Sequence, residues 1–377
     1  MTPSYAPAPQ LLKLRFFDLD VRIRSDDEAY LDLLARMYRL FRVDGTSPAV
    51  RPAVEYAVWT RPDNPWGRPV LVLDGEAHPL DDPGALAPYV YQDIVCDVLA
   101  RVRSHVLLHA GAVARDGQGI LLAGDSLHGK TTLVLALVRR GFAFLSDETA
   151  ALGRADRRVH PFPRSLSLRS GTLERAGFPE VTGGAPSWAG KRLLDIEDIR
   201  PGSLGEPVPV GHVVILSDPE EDGEEGSERE LGVLVDRLDE GLLTAVAQIE
   251  GVSGVRAEAA RGYPLLRLRA ARRTWAFSQI EALCQARGTW IMDVLAGPTG
   301  APDFAAPARL EAIPHRQAVV ELLRRFQGGH RSAVLHELGG RPTRLFVELA
   351  AIVGQAECHR LYVGPLEEMA ELAGGLT

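Results

Sequence analysis

Lysine is nearly missing from this chain. Of its 42 basic residues only Lys13, Lys130 and Lys191 are not arginine. A sequence that uses arginine for almost every positive charge keeps lysine where a compact ammonium serves better than a larger, planar guanidinium. That singles out Lys130 and, more weakly, Lys191. Cysteine is as scarce: Cys96, Cys284 and Cys358 lie far apart and outside metal-ligand spacing. This excludes a disulfide scaffold or a zinc finger and suits buried thiols in a reducing cytosol. No apolar run reaches the length of a bilayer span, and Met1 to Gln10 lacks the basic and apolar stretches of a signal peptide. The expectation is a cytoplasmic protein with no membrane partner. Nor is there a basic surface to offer nucleic acid. Of the net charge of −8, residues 218–230 supply −7, eight carboxylates against Arg229, which leaves the remainder near −1. The acidic run reads as a solvated loop, and no nucleic-acid partner is expected.

What the chain does have is concentrated between Val106 and Glu148. At the centre stands Gly124-Asp125-Ser126-Leu127-His128-Gly129-Lys130-Thr131-Thr132, which fits G-x-x-x-x-G-K-[ST], the loop that cradles nucleotide phosphates. An apolar run, Ile120 to Ala123, precedes it, and an amphipathic run, Leu133 to Arg140, follows, so the motif sits between a strand and a helix as it must. Glycine lets the backbone turn its N–H groups toward an anion, and the helix presents the positive end of its dipole there. Lys130 then reaches the β- and γ-phosphates, and the Thr131 hydroxyl holds Mg²⁺.

Spacing adds two groups to this loop. Asp116-Gly117 is a favoured two-residue turn between the apolar strands of a hairpin running from Val106 to Ala123. With that turn, His109 falls opposite Gly124, at the mouth of the site. A histidine in an apolar strand is as readily a hydrogen-bonded core residue, and a one-residue slip would send it to the other face. After the loop helix and Gly141, the apolar strand Phe142–Leu145 ends in Ser146-Asp147-Glu148. A strand–helix–strand unit this short predicts a right-handed parallel crossover, so both strand ends share one sheet edge and Asp147 and Glu148 lie beside Lys130 and Thr131. Farther on, Arg164 and Arg169 in an extended Pro-Phe-Pro-Arg segment, and Lys191 at the end of a Gly- and Pro-rich loop, are candidate phosphate or substrate contacts. In an arginine-rich chain the two arginines are equally surface charges.

The remainder organises into three parts. Residues 1–100 read as a small α+β region: strands within 11–24, a helix capped by Ser25-Asp26-Asp27-Glu28 and running to Phe41, strands at 54–60 and 69–74, and a helix at about 88–103. Residues 101–296 form the core, with a hairpin turning at Asp156-Arg157 and later strands at 208–217, 231–235 and 263–268. Helices are predicted at 242–249 and 275–285. Residues 297–377 open on a proline-rich linker, 297–309, and are otherwise mostly helical, with a short strand at 360–363. His315, His330, His336 and His359 show no metal spacing with carboxylates or cysteines.

His109-Ala110-Gly111, the Gly124–Thr132 loop and an acidic pair seventeen residues after Lys130 together resemble the catalytic core of HPr kinase/phosphorylase, a family related in fold to phosphoenolpyruvate carboxykinases. The resemblance covers about 106–170 well and the chain to about 290 loosely. It implies an α/β fold: a P-loop core of the HPr kinase and carboxykinase type, with the small α+β region before it and the mostly helical region after it. It also implies Asp147 as general base toward a seryl hydroxyl, Glu148 with Thr131 as metal ligands, and His109 as neighbour of the base. The family's arginine- and glycine-rich signature after the acidic pair has no counterpart here. That points away from HPr as substrate and toward the HPr-kinase-related serine kinases, some of which act on ribosomally made peptides such as lasso-peptide precursors.

The expected activity is therefore transfer of the γ-phosphate of ATP, with Mg²⁺, to a serine or threonine of a peptide or protein. Nothing in the residues discriminates against GTP, and a homo-oligomer is expected. Two other readings use the same residues. In a P-loop NTPase or nucleotide-gated regulator, Asp147 holds the metal and Glu148 activates water. In a small-molecule kinase only the acceptor differs.

Overall fold

A computed structural model describes residues 10–43, 53–61, 64, 66–73, 75–79, 101–125, 127–182, 187–188, 191–218, 228–289, 291–296, 304–325 and 342–377. The helix expected at 88–103 lies almost wholly outside these residues, as do Ser126, Cys96 and most of the acidic run. The described chain is a mixed α/β structure with several sheets.

The first sheet joins β1 (Gln10–Phe16), β2 (Leu19–Ser25), β3 (Ala53–Trp59), β4 (Val70–Leu73) and β5 (Glu76–Pro79) in that order. Alternation in β1 puts Leu12, Leu14 and Phe16 on one buried face, where the helix Glu28–Met37 packs with Tyr30, Leu31, Leu34 and Met37. This helix is capped by Asp27, which accepts from the Tyr30 N–H at 3.1 Å. Ser25 does not act as the cap: it ends β2 and its Oγ accepts from the Asp27 N–H at 3.1 Å. The small core continues into the rest of the molecule through Leu107, Ala151, Phe162 and Leu193.

The central sheet contains β6 (His105–Leu108), β7 (Ala110–Arg115), β8 (Gln118–Ala123), β9 (Ala143–Ser146), β10 (Ala150–Gly153), β11 (Arg158–His160), β15 (Val208–Ser217), β20 (Arg309–Ala312) and β21 (Glu357–Tyr362). The Asp116-Gly117 turn has both residues at positive φ, 51° and 79°, as a type I′ hairpin requires. It sets the predicted register, with Ala110 opposite Ala123 and Arg115 opposite Gln118. The run from Val106 to Val113 is not one strand, however. The chain breaks at His109, and β6 pairs β10 while β7 pairs β8 and β9. Because β7 is antiparallel to both β8 and β9, the latter two are parallel to each other, with the helix Lys130–Arg139 crossing between them.

That helix was expected to be amphipathic. Instead Leu133 to Val138 are all buried, because the helices Thr172–Ala176 and Leu366–Gly374 cover the side turned away from the sheet. Each fully buried leucine or valine is worth about 1.5–3 kcal/mol, so the helix that follows the Gly124–Gly129 loop is anchored all round. Strand β15 lies parallel to β8 on one side and to β21 on the other, and β20 closes the edge against β21. The chain beyond residue 304 is thus built into the central sheet.

Two smaller sheets flank this body. One joins β12 (Leu166–Leu168), β14 (Lys191–Leu194) and β13 (Ser187–Trp188); the other runs β17 (Val252–Ala260), β18 (Tyr263–Ala270), β16 (Arg229–Val235), β19 (Ile291–Ala296). Helices Glu240–Ala247 and Arg273–Ala286 pack on the second through Leu242, Val246, Ala276 and Ile280. Strands β5, β13, β14, β17, β19 and β20 escaped the sequence reading, β17 because it is largely exposed and lacks an apolar run. Among the described residues no helix is long and apolar enough to cross a membrane.

Candidate active site

Parallel strands β8, β9 and β15 end at one edge of the central sheet, and the candidate site is built there. Strand β8 delivers Gly124, the loop follows, and the helix starts at Lys130 with Gly129 as its cap at φ 79°. Gly124 is demanded by contact, since a Cβ there would sit 2.8 Å from the Leu216 Cβ on β15. Leu127 is a left-handed residue without being glycine, φ 78°, a conformation that costs a leucine about 1–2 kcal/mol. Its side chain packs into the apolar core of the β16–β19 sheet, which offsets that cost and ties the loop tip to the neighbouring sheet. His128 is buried with Nδ1 3.2 Å from the Leu216 carbonyl, and Thr132 lies within the first turn of the helix.

Lys130 folds over the loop and donates to the Gly124 and Asp125 carbonyls at 2.7 and 3.0 Å. Burial brings its pKa down to about 8, against the opposing pull of Asp125 and Glu148. Thr131, one residue into the helix, donates from Oγ1 to the Asp147 carboxylate at 3.3 Å. The predicted crossover has therefore brought the end of β9 to the loop. Asp147 is 4 % exposed, and burial, then the adjacent Glu148, push its pKa up to about 6. Glu148 goes the other way. Its side chain, 41 % exposed, pairs with the buried Arg164, and against desolvation the charge of Arg164, with those of Lys191 and Lys130, holds it below the usual carboxylate range. Two neighbouring carboxylates thus have separated proton affinities, the condition under which one accepts a proton while the other stays an anion.

His109 sits at the break between β6 and β7, where its N–H donates to the Arg325 carbonyl at 2.6 Å. Its imidazole is held neutral, with a pKa of about 3, by burial first and then by Lys130. Glu148 and Asp125 act on it in the opposite sense. The histidine therefore lies within electrostatic reach of Lys130 and Glu148.

Of the three more distant cations, Arg164 reaches the acidic pair directly. Arg169 and Lys191 do not face the phosphate loop but converge on Asp293 of β19, each at 2.8 Å, with Arg261 on its second oxygen at 2.9 Å. Arg169 also donates to the Val294 carbonyl at 2.7 Å. Lys191 still contributes to the field on Glu148, so this cluster adjoins the acidic pair. Sequence reasoning missed Asp293 and Arg261, and it missed Arg325. The last is buried after the helix His315–Arg324, and its guanidinium binds Asp125 of the loop at 3.1 Å and Glu321 at 2.7 Å. No motif could have flagged these residues, since each meets the site through sheet order.

The donor set suits a hard divalent cation: the Thr131 hydroxyl and the carboxylates of Asp147 and Glu148 are oxygen ligands, and the Thr131 hydroxyl lies 3.3 Å from the buried Asp147 carboxylate. Cys284 and Cys358 are buried free thiols whose pKa burial raises to about 11. They belong to the packing.

No family model and no curated protein matches the chain. Among solved structures it is matched with the Hpr(Ser) kinase/phosphatase from Coxiella burnetii, at 18% identity and a TM-score of 0.22, over 48% of this chain and 95% of that one.

Proposed function

We propose that this protein is an ATP-dependent phosphotransferase that moves the γ-phosphate to a hydroxyl, with serine or threonine of a peptide as the acceptor. The observation that carries the proposal is the Lys130–Thr131–Asp147 arrangement: a buried carboxylate with raised pKa, one hydrogen bond from the hydroxyl that opens a phosphate-binding helix. Phosphoryl transfer asks mainly for positioning and charge neutralisation, with a group to take the acceptor's proton. The loop N–H groups and the helix dipole receive the phosphates. Lys130 is positioned to trade its loop carbonyls for phosphate oxygens. A proton acceptor works best with a pKa near the operating pH, which suits Asp147, and His109, neutral within reach of Lys130 and Glu148, orients the acceptor. Thr131 and the ionised Glu148 would hold Mg²⁺, which when bound screens charge on the phosphates. The family resemblance makes ribosomally produced peptide precursors the first acceptors to try.

One contact favours a second reading. Thr131 donating to Asp147 also suits an NTPase in which the aspartate shares the metal and Glu148 activates water. Against it, Glu148 is engaged by Arg164. Purified protein incubated with γ-labelled ATP, Mg²⁺ and serine-containing peptides should yield phosphoserine. Asp147→Asn should abolish transfer while nucleotide still binds. Free phosphate as the sole product with every acceptor, together with a tight non-turning ATP complex in Glu148→Gln, would overturn the kinase reading in favour of the NTPase.

A further inference from the structure

A second group of ligand-type side chains lies well away from the phosphate loop. His212 of β15 is paired in register with Glu357 of β21, and His359 follows two residues later on the same face. The β-bulge between Val210 and His212 matters here. It turns Val213 and Ile215 toward one core and His212, with Val214 and Leu216, toward the other. Cys358 points to the opposite face from its two neighbours and is no part of the group.

The three side chains each offer one ligand atom, and these atoms lie within 4.8 Å of one another. Glu357 Oε2 is 3.8 Å from His212 Nδ1 and 3.6 Å from His359 Nε2, beyond hydrogen-bonding distance. Neither nitrogen has a hydrogen-bond partner although both are buried, and the His212 side chain is only 8% exposed. Buried polar atoms are normally paired, so two in one place facing the same carboxylate ask for an explanation. A tetrahedral shell with ligands about 2.0–2.1 Å from zinc places its ligand atoms about 3.3 Å apart. A small swing of Glu357, which is 73% exposed, closes its two separations to that, and the two ring nitrogens, within 4.8 Å of one another, close in with modest movement of the rings.

We propose that His212, Glu357 and His359 form a binding site for a divalent transition-metal ion of the zinc type. Two imidazoles and one carboxylate with an open position form a donor set that favours zinc, cobalt or nickel over magnesium, which prefers oxygen alone. The ion would clip β21 to β15 and brace the closing segment against the central strand. It stands four residues, about 13 Å at ~3.3 Å per residue, from Leu216 beside the phosphate loop. It is therefore separate from the Mg²⁺ position of the reaction.

The test uses the full chain stripped of metal, titrated with Zn²⁺ by calorimetry and with Co²⁺ by visible absorption. One equivalent should bind, with the strong d–d bands of a low-coordinate cobalt–histidine site, and zinc should raise the thermal midpoint. His212→Ala should weaken binding about 100-fold and Glu357→Gln at least about tenfold, as losses of ligating or supporting groups do. Asp147→Asn should bind as the wild type does. Glu357 is exposed, so its variant decides the matter even if His212→Ala fails to fold. Absence of saturable binding, a Glu357→Gln affinity within threefold of wild type, or loss of the site in Asp147→Asn would each overturn the assignment.

Discussion

Asp147 should make the protein less stable where it makes it active. A carboxyl whose pKa folding raises gains from the folded state only while protonated, below its unfolded value of 3.8. That advantage disappears as pH rises through about 6. Above that, the folded chain holds a buried anion that the unfolded chain would hydrate. The difference is roughly two pKa units at about 1.4 kcal/mol each. Ionised Asp147 therefore costs on the order of 2–3 kcal/mol at pH 7.5, and it shares that field with Glu148. Asp147→Asn keeps an oxygen to accept from Thr131 and removes the charge. The variant should be more stable than wild type by about 2 kcal/mol at pH 7.5, allowing for an amide NH₂ in need of a partner. At pH 4 it should be level with wild type. Urea unfolding followed at both pH values reads this directly, as a midpoint shift of about 1 M for a slope near 2 kcal/mol/M. A variant inactive in transfer yet stabilised only at the higher pH is the signature of a carboxylate kept for chemistry. Equal or lower stability at pH 7.5 would refute the reasoning and place the burial cost elsewhere.

Two further outcomes follow from the geometry. Gly124→Ala pushes a Cβ to 2.8 Å from the Leu216 Cβ, and should cost about 1–3 kcal/mol by overpacking while weakening nucleotide affinity; denaturant titration and nucleotide binding measured on the same sample check both. Arg164 lowers the proton affinity of both Glu148 and Asp147. In Arg164→Gln the acid limb of kcat/KM for transfer should therefore move to higher pH, and an unmoved limb would separate Arg164 from the reacting base.

Much of the site is local and could be read from the chain. The phosphate loop depends on glycine at positions where backbone must turn or pass close to another strand. The hairpin register depends on the Asp116-Gly117 turn, and the approach of Asp147 to Thr131 depends on the handedness of a short crossover. Each of these is decided within a few tens of residues by backbone sterics and turn chemistry. The alternation in β1 and the periodicity of the helix Glu28–Met37 are legible for the same reason.

What sequence did not reveal is set by which strands lie side by side. His109 reads as part of a continuous apolar strand, yet β6 and β7 separate there because they pair with different neighbours. Arg169 and Lys191 are plausible phosphate ligands by charge alone, but Asp293, contributed by a different sheet, claims both. Arg325 reaches Asp125, and His212 meets Glu357 and His359, only because the closing segment threads β21 back beside β15. Local chemistry thus determined by itself where the Gly124–Thr132 loop lies and that Asp147 meets Thr131. The partners that tune the loop, and the second cluster of ligands, were decided by long-range strand order, which depends on how separate apolar faces find burial against one another and leaves no periodic trace in the sequence.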